Sequence, residues 1–294
     1  MLGRLTTRLG SEPRRPVAPP GQPRFEVLPV PGITDKVLES LPAHATVAVT
    51  ASPRRGNEET INTAVSLALQ GVSVVPHLSA RMVRGEAELK DALETLTVSG
   101  VTELFVIGGD AVEPVGEYTS ALDVLPTIAQ SDHGLRIGIA GYPETHPLID
   151  DDAVVKAMWD KRPYASYVVS QMCFDAHSLL SWVRRLRDRG MDLPVLVGIP
   201  GPASAAKLLR VGTQIGVGES TRVLRKHRGG LRHLASPVPW RPNQLLQDLS
   251  AAFADPDYAL HGVHVYTFND VAAAGHWWQQ TSRGDQEAAH TLDQ

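Results

Sequence analysis

The chain has 294 residues, which suits one large α/β barrel of about 250 residues or two smaller domains. Its 28 basic and 32 acidic residues give a formal charge of −4, so no overall basic surface indicates nucleic acid binding. No apolar run approaches the roughly 18 residues of a membrane span, and the single cysteine, Cys173, excludes an intrachain disulfide. We therefore expect a cytoplasmic protein with neither nucleic acid nor membrane as a partner.

The two ends of the chain differ from the middle in composition. Residues 1–22 are rich in proline, glycine and arginine and predict a flexible, disordered arm, without the apolar core of a secretory signal. Residues 23–282 form the predicted folded domain. Residues 283–294 predict a polar tail.

Eight short apolar runs alternate with amphipathic segments through this domain. The runs lie at 23–29, 45–50, 72–76, 103–107, 135–140, 165–171, 194–199 and 262–267. Helical spacing is clear at Asn57–Leu69, Glu86–Leu96 and Leu179–Leu186, and the first of these helices is predicted to bury the face formed by Ile61, Ala64, Val65 and Ala68. Further helices are predicted at Ala203–Val211, Ser220–Lys226 and Asn243–Ala254. This alternation predicts a parallel sheet, and eight units favour a single (β/α)8 TIM-like barrel, with an open doubly wound sheet as the alternative.

Polar residues capable of chemistry stand where most of these runs end. They are Glu26, Thr50, His77, Asp110, Tyr142, Glu144, Gln171, Thr267 and Asn269. In a (β/α)8 barrel the carboxyl ends of all strands meet on one face, which carries the active site. The pattern therefore predicts one site at the barrel mouth.

Two carboxylates are the candidates for catalysis. Glu26 lies between Phe25 and Val27, and an apolar setting favours a neutral acid that can donate a proton; the alternative is a glutamate facing outward. Asp110 follows two glycines that let the backbone approach a ligand; the alternative is a cap on the next helix.

The remaining polar positions allow other interpretations. Gln171 can donate and accept at a ligand edge, or be a buried amide bonded to backbone. His77, His146 and Glu144 lack the short spacings of zinc motifs, so we expect no metal. The basic segment 222–234 is typical of a solvated helix face, or of a docking site for phosphates or carboxylates.

Taken together, the run-end motifs resemble those of the methylenetetrahydrofolate reductases. FEVLP, VTAS, PHLSAR, GGD, GYPETHP, SQMCFD, VGIPGP and HVYTFN occur in that family's order and spacing, from residue 23 to about residue 280. The resemblance implies a TIM-like barrel that reduces 5,10-methylenetetrahydrofolate to 5-methyltetrahydrofolate. NADH or NADPH would supply the hydride, usually through bound FAD.

The resemblance also implies roles for individual residues. Glu26 corresponds to the general acid, Asp110 to the aspartate facing the pterin and flavin, and Gln171 to a pterin contact, while Tyr266 belongs to the closing strand and contacts substrate. A last group lines the flavin or nicotinamide side: Thr50, His77, Tyr142 and His146.

Several flavin-side positions depart from the family pattern. Gly108 and Asp270 stand where the family has arginines, and the ring-stacking phenylalanine falls near Ala205 or Ala206. The segment DKRPYAS, residues 160–166, replaces a lysine followed by Asp-Ala-Gly-Ala. These departures predict that FAD is weakly held or absent and that NADH (or NADPH) reduces the substrate directly. The alternatives are a folate-dependent methyltransferase or demethylase and a non-catalytic folate-binding protein.

Overall fold

A computed structural model describes residues 19, 21–131, 133–144, 151–214 and 240–292. Eight parallel strands pair in sequence order and close when β1 pairs with β8, which confirms the barrel and excludes the open sheet. The strands are Arg24–Val27 (β1), Thr46–Val49 (β2), Ser73–Ser79 (β3), Glu103–Ile107 (β4), Arg136–Gly141 (β5), Tyr167–Ser170 (β6), Val195–Pro200 (β7) and Leu260–Tyr266 (β8).

Helices follow the strands and cover the outside of the barrel. They are Ile33–Ser40 (α1), Gly56–Ala68 (α2), Glu86–Val98 (α3), Ala121–Gln130 (α4), Asp151–Lys161 (α5), Ala176–Asp188 (α6), Ala205–Gln214 (α7), Asn243–Ala254 (α8) and Val271–Leu292 (α9). None of these helices is both long enough and apolar enough to cross a bilayer. The predicted helix Ser220–Lys226, the basic segment and nearly all of the predicted arm lie outside the described residues.

The domain boundaries remain predictions, although the last helix bears on one of them. α9 continues through residues 283–292, which the sequence assigned to a polar tail. Earlier in α9, Trp277 and Trp278 are buried in the core.

Alternation along the strands divides the apolar side chains between two regions. One set, including Phe25, Val47 and Val197, faces the helices and forms the main core. The opposite set faces the barrel interior, where Phe105 and Val169 form a smaller apolar cluster. Inward positions therefore alternate with outward ones, as the pleat requires.

The buried face of α2 differs from the predicted one. The sequence placed Ile61, Ala64, Val65 and Ala68 on it, whereas the buried residues are Asn57, Thr60, Thr63, Ala64 and Leu67. The helix is turned because two polar side chains bind strand backbone. Asn57 Nδ2 donates to Ser79 O at 2.9 Å, and Thr60 Oγ1 donates to Thr50 O at 3.3 Å.

A buried polar network fills the amino-terminal end of the barrel. Arg24 is 8 % exposed and binds Glu103 Oε2 at 2.8 Å and the Tyr167 hydroxyl at 2.7 Å. Burial raises the pKa of Tyr167 to about 12, although Arg24 opposes the rise. This network was not predicted, because its members are far apart in the chain and lie at strand starts.

The mouth end is closed by hydrogen bonds between side chains that follow β8 and the backbone of β1 and of the residue just after it. Thr267 Oγ1 donates to Glu26 O at 2.6 Å. Asn269 Oδ1 accepts from Leu28 N at 2.7 Å, and its amide nitrogen lies 3.3 Å from Leu28 O. Phe268 and Asn269 have φ of 54° and 61°, a left-handed turn that brings the Asn269 amide back to β1. The conspicuous TFN motif therefore closes the barrel.

Candidate active site

Glu26 is the centre of the candidate site. Its side chain points into the barrel and is 17 % exposed, so the outward-facing alternative is wrong. The carboxylate oxygen Oε2 lies 3.0 Å from His264 Nε2 and 3.9 Å from His77 Nε2. β1, β3 and β8 place these side chains on the shared interior surface.

Burial determines the protonation of this group. It raises the pKa of Glu26, and the attraction of His77 opposes the rise without cancelling it. Burial, together with the positive charge of Arg24, lowers the pKa of His77 to about 4 and that of His264 to about 3, although the charge of Glu26 opposes the shift at His77. The two imidazoles are therefore neutral at pH 7 and the neutral form of Glu26 is favoured, because no charge in this cluster is well solvated. Glu26 and His264 share a hydrogen bond, and His77 lies beside them.

The sequence identified one of the two histidines, and it placed that one imperfectly. β3 continues to Ser79, so His77 lies within the strand and not at its end; its ring packs 4.6 Å from the Phe105 ring. His264 was missed. The available signal was the period of two along β8, which puts His264 on the same face as Tyr266.

Two tyrosines, Tyr266 and Tyr142, line the mouth between Glu26 and Asp110. The Tyr266 hydroxyl donates to Ser170 O at 3.3 Å, and its ring meets the His264 ring edge-on at 5.0 Å. Burial raises the pKa of Tyr266, with a further contribution from the charge of Glu26. Burial also raises the pKa of Tyr142, and here the charge of Asp110 contributes. Tyr142 and Asp110 are therefore close enough for the Asp110 charge to act on the Tyr142 hydroxyl.

The loop that carries Asp110 is shaped by a glycine. Gly109 has φ +92°, and a Cβ built there would lie 1.8 Å from Ser79 Oγ, so only glycine fits. Asp110 is exposed and lies far from the start of α4, where Ser120 is the N-cap. The helix-cap alternative for Asp110 is therefore wrong, and its carboxylate is available to a ligand.

Gln171 follows β6 directly and is half-buried at the mouth. Its Oε1 accepts from Met172 N at 2.8 Å, so the backbone holds the amide in one orientation. A Cβ at the neighbouring Gly198 would lie 2.1 Å from Ser170 O, which keeps β7 close to β6 here. The predicted backbone-bonded amide and the predicted ligand contact are thus compatible, since the NH2 group is not needed for that bond.

The other predicted positions are less informative. Thr50 directly follows β2, is half-buried, and donates its backbone N–H to Val27 O at 2.9 Å. His146 lies outside the described residues. Cys173 is fully buried in the core, and its Sγ lies 3.9 Å from Glu144 Oε1.

An apolar patch adjoins Tyr266 on the side of β6 to β8. Phe174 and Trp240 meet edge-on at 5.8 Å, and Phe268 packs beside them. Lys207 Nζ lies 5.3 Å from the centroid of the Phe268 ring and 3.2 Å from the Phe268 carbonyl oxygen. The sequence did not identify this patch, because Trp240 belongs to the long connection between β7 and β8.

The positions that depart from the flavin pattern occupy different places. Gly108 offers only backbone, and its carbonyl accepts from Arg81 N at 3.0 Å. Asp270 caps α9, accepting from Ala273 N at 3.3 Å. The turn 162–164 leads into the amino-terminal end of β6, opposite Gln171, so that departure bears less directly on the mouth. Gly108 and Asp270 therefore do not supply the cations that the resemblance expects for FAD.

The fold and the site define a class: a (β/α)8 barrel with a largely buried carboxylic acid of raised pKa beneath a mouth of polar and aromatic side chains. Comparison with known proteins is more specific. The family model described as methylenetetrahydrofolate reductase matches residues 34–220, more than half of the chain. The chain belongs to the methylenetetrahydrofolate reductase family. Glu26 and β8 lie outside the matched span, and barrel closure brings them beside residues within it.

Curated relatives agree with this assignment at low identity. Methylenetetrahydrofolate reductase 2 of Saccharomyces cerevisiae is 27 % identical over 194 residues, covering 62 % of this chain and 32 % of the relative. Methylenetetrahydrofolate reductase 1 of Schizosaccharomyces pombe is 31 % identical over 132 residues, 42 % of this chain and 21 % of the relative. Methylenetetrahydrofolate reductase (NADH) 1 of Arabidopsis thaliana is 29 % identical over 150 residues, 44 % of this chain and 25 % of the relative. The matches span a third or less of these relatives.

Proposed function

We propose that this chain reduces 5,10-methylenetetrahydrofolate to 5-methyltetrahydrofolate, with a reduced nicotinamide nucleotide as the hydride donor. The observation that carries the proposal is Glu26, a buried acid 3.0 Å from His264 at the base of the barrel mouth. Family membership supports the substrate class. The plant relative's name includes NADH, which supports the donor.

In the proposed reaction Glu26 acts as the general acid. Opening the five-membered ring breaks the bond between N10 and the methylene carbon, and N10 takes the Glu26 proton as the bond breaks. The product of this step is a cation at N5 with an exocyclic methylene carbon. The barrel interior raises the pKa of Glu26 and so favours its neutral form, which carries the proton that N10 takes.

Asp110 and Gln171 would hold the pterin while this cation exists. The Asp110 carboxylate can accept from the pterin N–H groups and stabilise the positive charge. The NH2 group of Gln171 can donate to a ring acceptor, since only its oxygen is engaged by Met172 N. The hydride then moves from the nicotinamide to the methylene carbon, which completes the methyl group.

We further propose that the hydride moves without a flavin intermediate. Gly108 and Asp270 weaken the support for FAD, because one offers no side chain and the other a carboxylate that caps α9. The nicotinamide would take the space beside Thr50, His77 and Tyr142. One-step transfer requires donor and acceptor carbons within about 3–3.5 Å, so both ligands must stack in the same mouth.

The test is steady-state kinetics on the purified chain, combined with its visible absorption spectrum. We expect NADH oxidation that depends on methylenetetrahydrofolate, no flavin absorption, and intersecting double-reciprocal lines from a ternary complex. Parallel lines together with stoichiometric FAD would indicate a ping-pong mechanism through flavin and would contradict direct hydride transfer.

The two alternatives from the sequence give different results in the same assay. A folate-dependent methyltransferase or demethylase would bind folate without consuming NADH. A pure binding protein would show folate affinity and no turnover. Either outcome would overturn the proposed reductase activity while leaving family membership intact.

A further inference from the structure

Glu26, His77 and His264 form a cluster with the geometry of a metal site. One ligand atom from each residue lies within 4.8 Å of the others, and the two measured nitrogen-to-oxygen distances are 3.0 Å and 3.9 Å. A tetrahedral zinc ion with bonds of about 2.0–2.1 Å holds its ligand atoms about 3.3 Å apart. Small side-chain rotations would bring the three atoms to that spacing.

An unpartnered polar atom points to a missing ligand. His77 is only 4 % exposed, and its Nε2 has no hydrogen-bond partner among the residues that the structure describes. Buried polar atoms normally have a partner, so this one requires an explanation. A cation between His77 Nε2 and Glu26 Oε2, which are 3.9 Å apart, would supply one.

We propose that this cluster, defined by Glu26, His77 and His264, binds a divalent transition-metal ion of the zinc type and that the bound ion inhibits the protein. Two imidazoles and one carboxylate suit zinc better than magnesium or calcium, which prefer oxygen ligands. Three protein ligands leave one position for water, and the 17 % exposure of the Glu26 side chain gives the ion a route from the mouth.

Inhibition follows from the proton balance, and this half of the inference rests on the proposed function. The ion binds the Glu26 carboxylate, so the acid proton of Glu26 leaves to solvent when the metal–oxygen bond forms. A metal-bound Glu26 has no proton to give to N10. Metal binding and general acid catalysis by Glu26 therefore exclude each other.

Nearby positive charge does not prevent binding. Arg24 is the cation that acts on both histidines, but its guanidinium is paired with Glu103 at 2.8 Å. The ion would also replace one proton on Glu26, which limits the net charge added to the barrel interior to one positive unit.

The direct test measures zinc and cobalt binding in the absence of substrates. Purified chain is dialysed against Zn²⁺ and its metal content determined, and Co²⁺ is titrated while the ligand-field absorption is recorded. We expect one bound ion per wild-type chain, and at least tenfold weaker metal binding in both His77→Gln and His264→Gln. His261→Gln, an exposed histidine on β8, is the matched control and should bind as the wild type does.

Thermal melting of each variant checks that it folds. If a histidine variant does not fold, the nearly isosteric Glu26→Gln removes the third ligand of the cluster and takes its place in the metal-binding measurement. Equal affinity in all variants, or no stoichiometric binding by the wild-type chain, would overturn the site. Zn²⁺ bound at the cluster without loss of NADH oxidation would overturn the inhibition alone. A chain with no reductase activity would refute the proposed function, while the binding measurement would still decide the metal site.

Discussion

At the scale of single residues, Glu26 illustrates how the barrel changes the chemistry of a side chain. An exposed glutamate is ionised at neutral pH, whereas Glu26 is surrounded by the interior and faces His264 and His77, which are themselves kept neutral by burial. The proposed acidity of Glu26 therefore depends on the meeting of β1, β3 and β8. It can be tested by a substitution that removes the transferable proton and keeps the size of the side chain.

Glu26→Gln keeps the size of the side chain and removes its transferable proton. We expect the rate of methylenetetrahydrofolate reduction to fall about 10²–10⁴-fold, the range that general acid catalysis contributes, with folate affinity little changed. Steady-state turnover and calorimetric folate titration measure the two effects. Glu58→Gln on the exposed surface of α2 is the control, and a Glu26→Gln rate within about twofold of the wild type would remove Glu26 from the mechanism.

Gly109 is the second residue on which the site depends. Gly109→Ala forces a Cβ into Ser79 Oγ and imposes a left-handed φ on alanine, so we expect a loss of about 2 kcal/mol or more in the free energy of unfolding. Urea denaturation measures it. Gly85→Ala is the control, because its φ of 176° is ordinary extended backbone and no atom lies within 4 Å of the added methyl; equal losses in both would refute the steric explanation.

At the scale of elements, the loop between β4 and α4 is held at both ends. Arg81 donates to the carbonyls of Ala111 and Val112 at 2.7 Å and 2.6 Å. The N-terminus of α4 is closed by a capping box between Ser120 and Asp123. These contacts keep Asp110 at the mouth while leaving its carboxylate free of helix capping.

The capping box can be tested by Asp123→Ala. Asp123 Oδ2 accepts from Thr119 N at 2.7 Å and Ser120 N at 2.8 Å, so we expect a loss of about 1 kcal/mol in unfolding free energy at pH 7. Burial acts to raise the pKa of Asp123, but the hydrogen bonds from Thr119 and Ser120 outweigh it and lower the pKa.

A lowered pKa in the folded state gives this contribution a definite pH dependence. It is present above the unfolded pKa of about 3.9 and is lost as the pH falls through the folded value. The difference between wild type and Asp123→Ala, measured by urea denaturation, should therefore shrink toward pH 3. Asp91→Ala, on the exposed side of α3, is the surface control measured under the same conditions; a wild-type to Asp123→Ala difference that grows in acid would contradict the argument.

At the scale of the whole molecule, the barrel is closed by different interactions at its two ends. The amino-terminal end holds the Arg24, Glu103 and Tyr167 network, and the mouth holds the bonds of Thr267 and Asn269 to β1. The chemistry is thereby confined to the mouth, because the other end is filled by paired charges.

Glu103→Gln tests the contribution of the Arg24, Glu103 and Tyr167 network to stability. It leaves the guanidinium of Arg24 buried without its carboxylate, and we expect a loss of about 2–4 kcal/mol in unfolding free energy. Glu86→Gln is the control: its partner Lys90 is 57 % exposed, and such i,i+4 pairs contribute only about 0.3–0.5 kcal/mol. Thermal and urea denaturation compare the two, and similar small losses would show that Arg24 is solvated after all.

The sequence by itself determined the order of the elements and favoured the closed barrel over an open sheet. The eight apolar runs correspond to the eight strands, and the predicted helix Asn243–Ala254 has the observed bounds. Local periodicity is sufficient here because a strand or helix buries one face along its own length. The same signal located Glu26, Asp110 and Gln171 near strand ends, and the motifs gave the family.

Only the tertiary structure decided which side chains meet. The contact of Glu26 with His264 joins residues 238 positions apart, and the bond of Arg24 to Tyr167 joins residues 143 apart. The register of β1 against β8 creates the first contact, and no local pattern contains that register. The rotation of α2 was misjudged for a related reason, since hydrogen bonds from Asn57 and Thr60 to strand backbone outweighed the apolar pattern. Local sequence therefore sets each element, whereas the protonation and partners of Glu26 depend on an interior that exists only once the barrel closes.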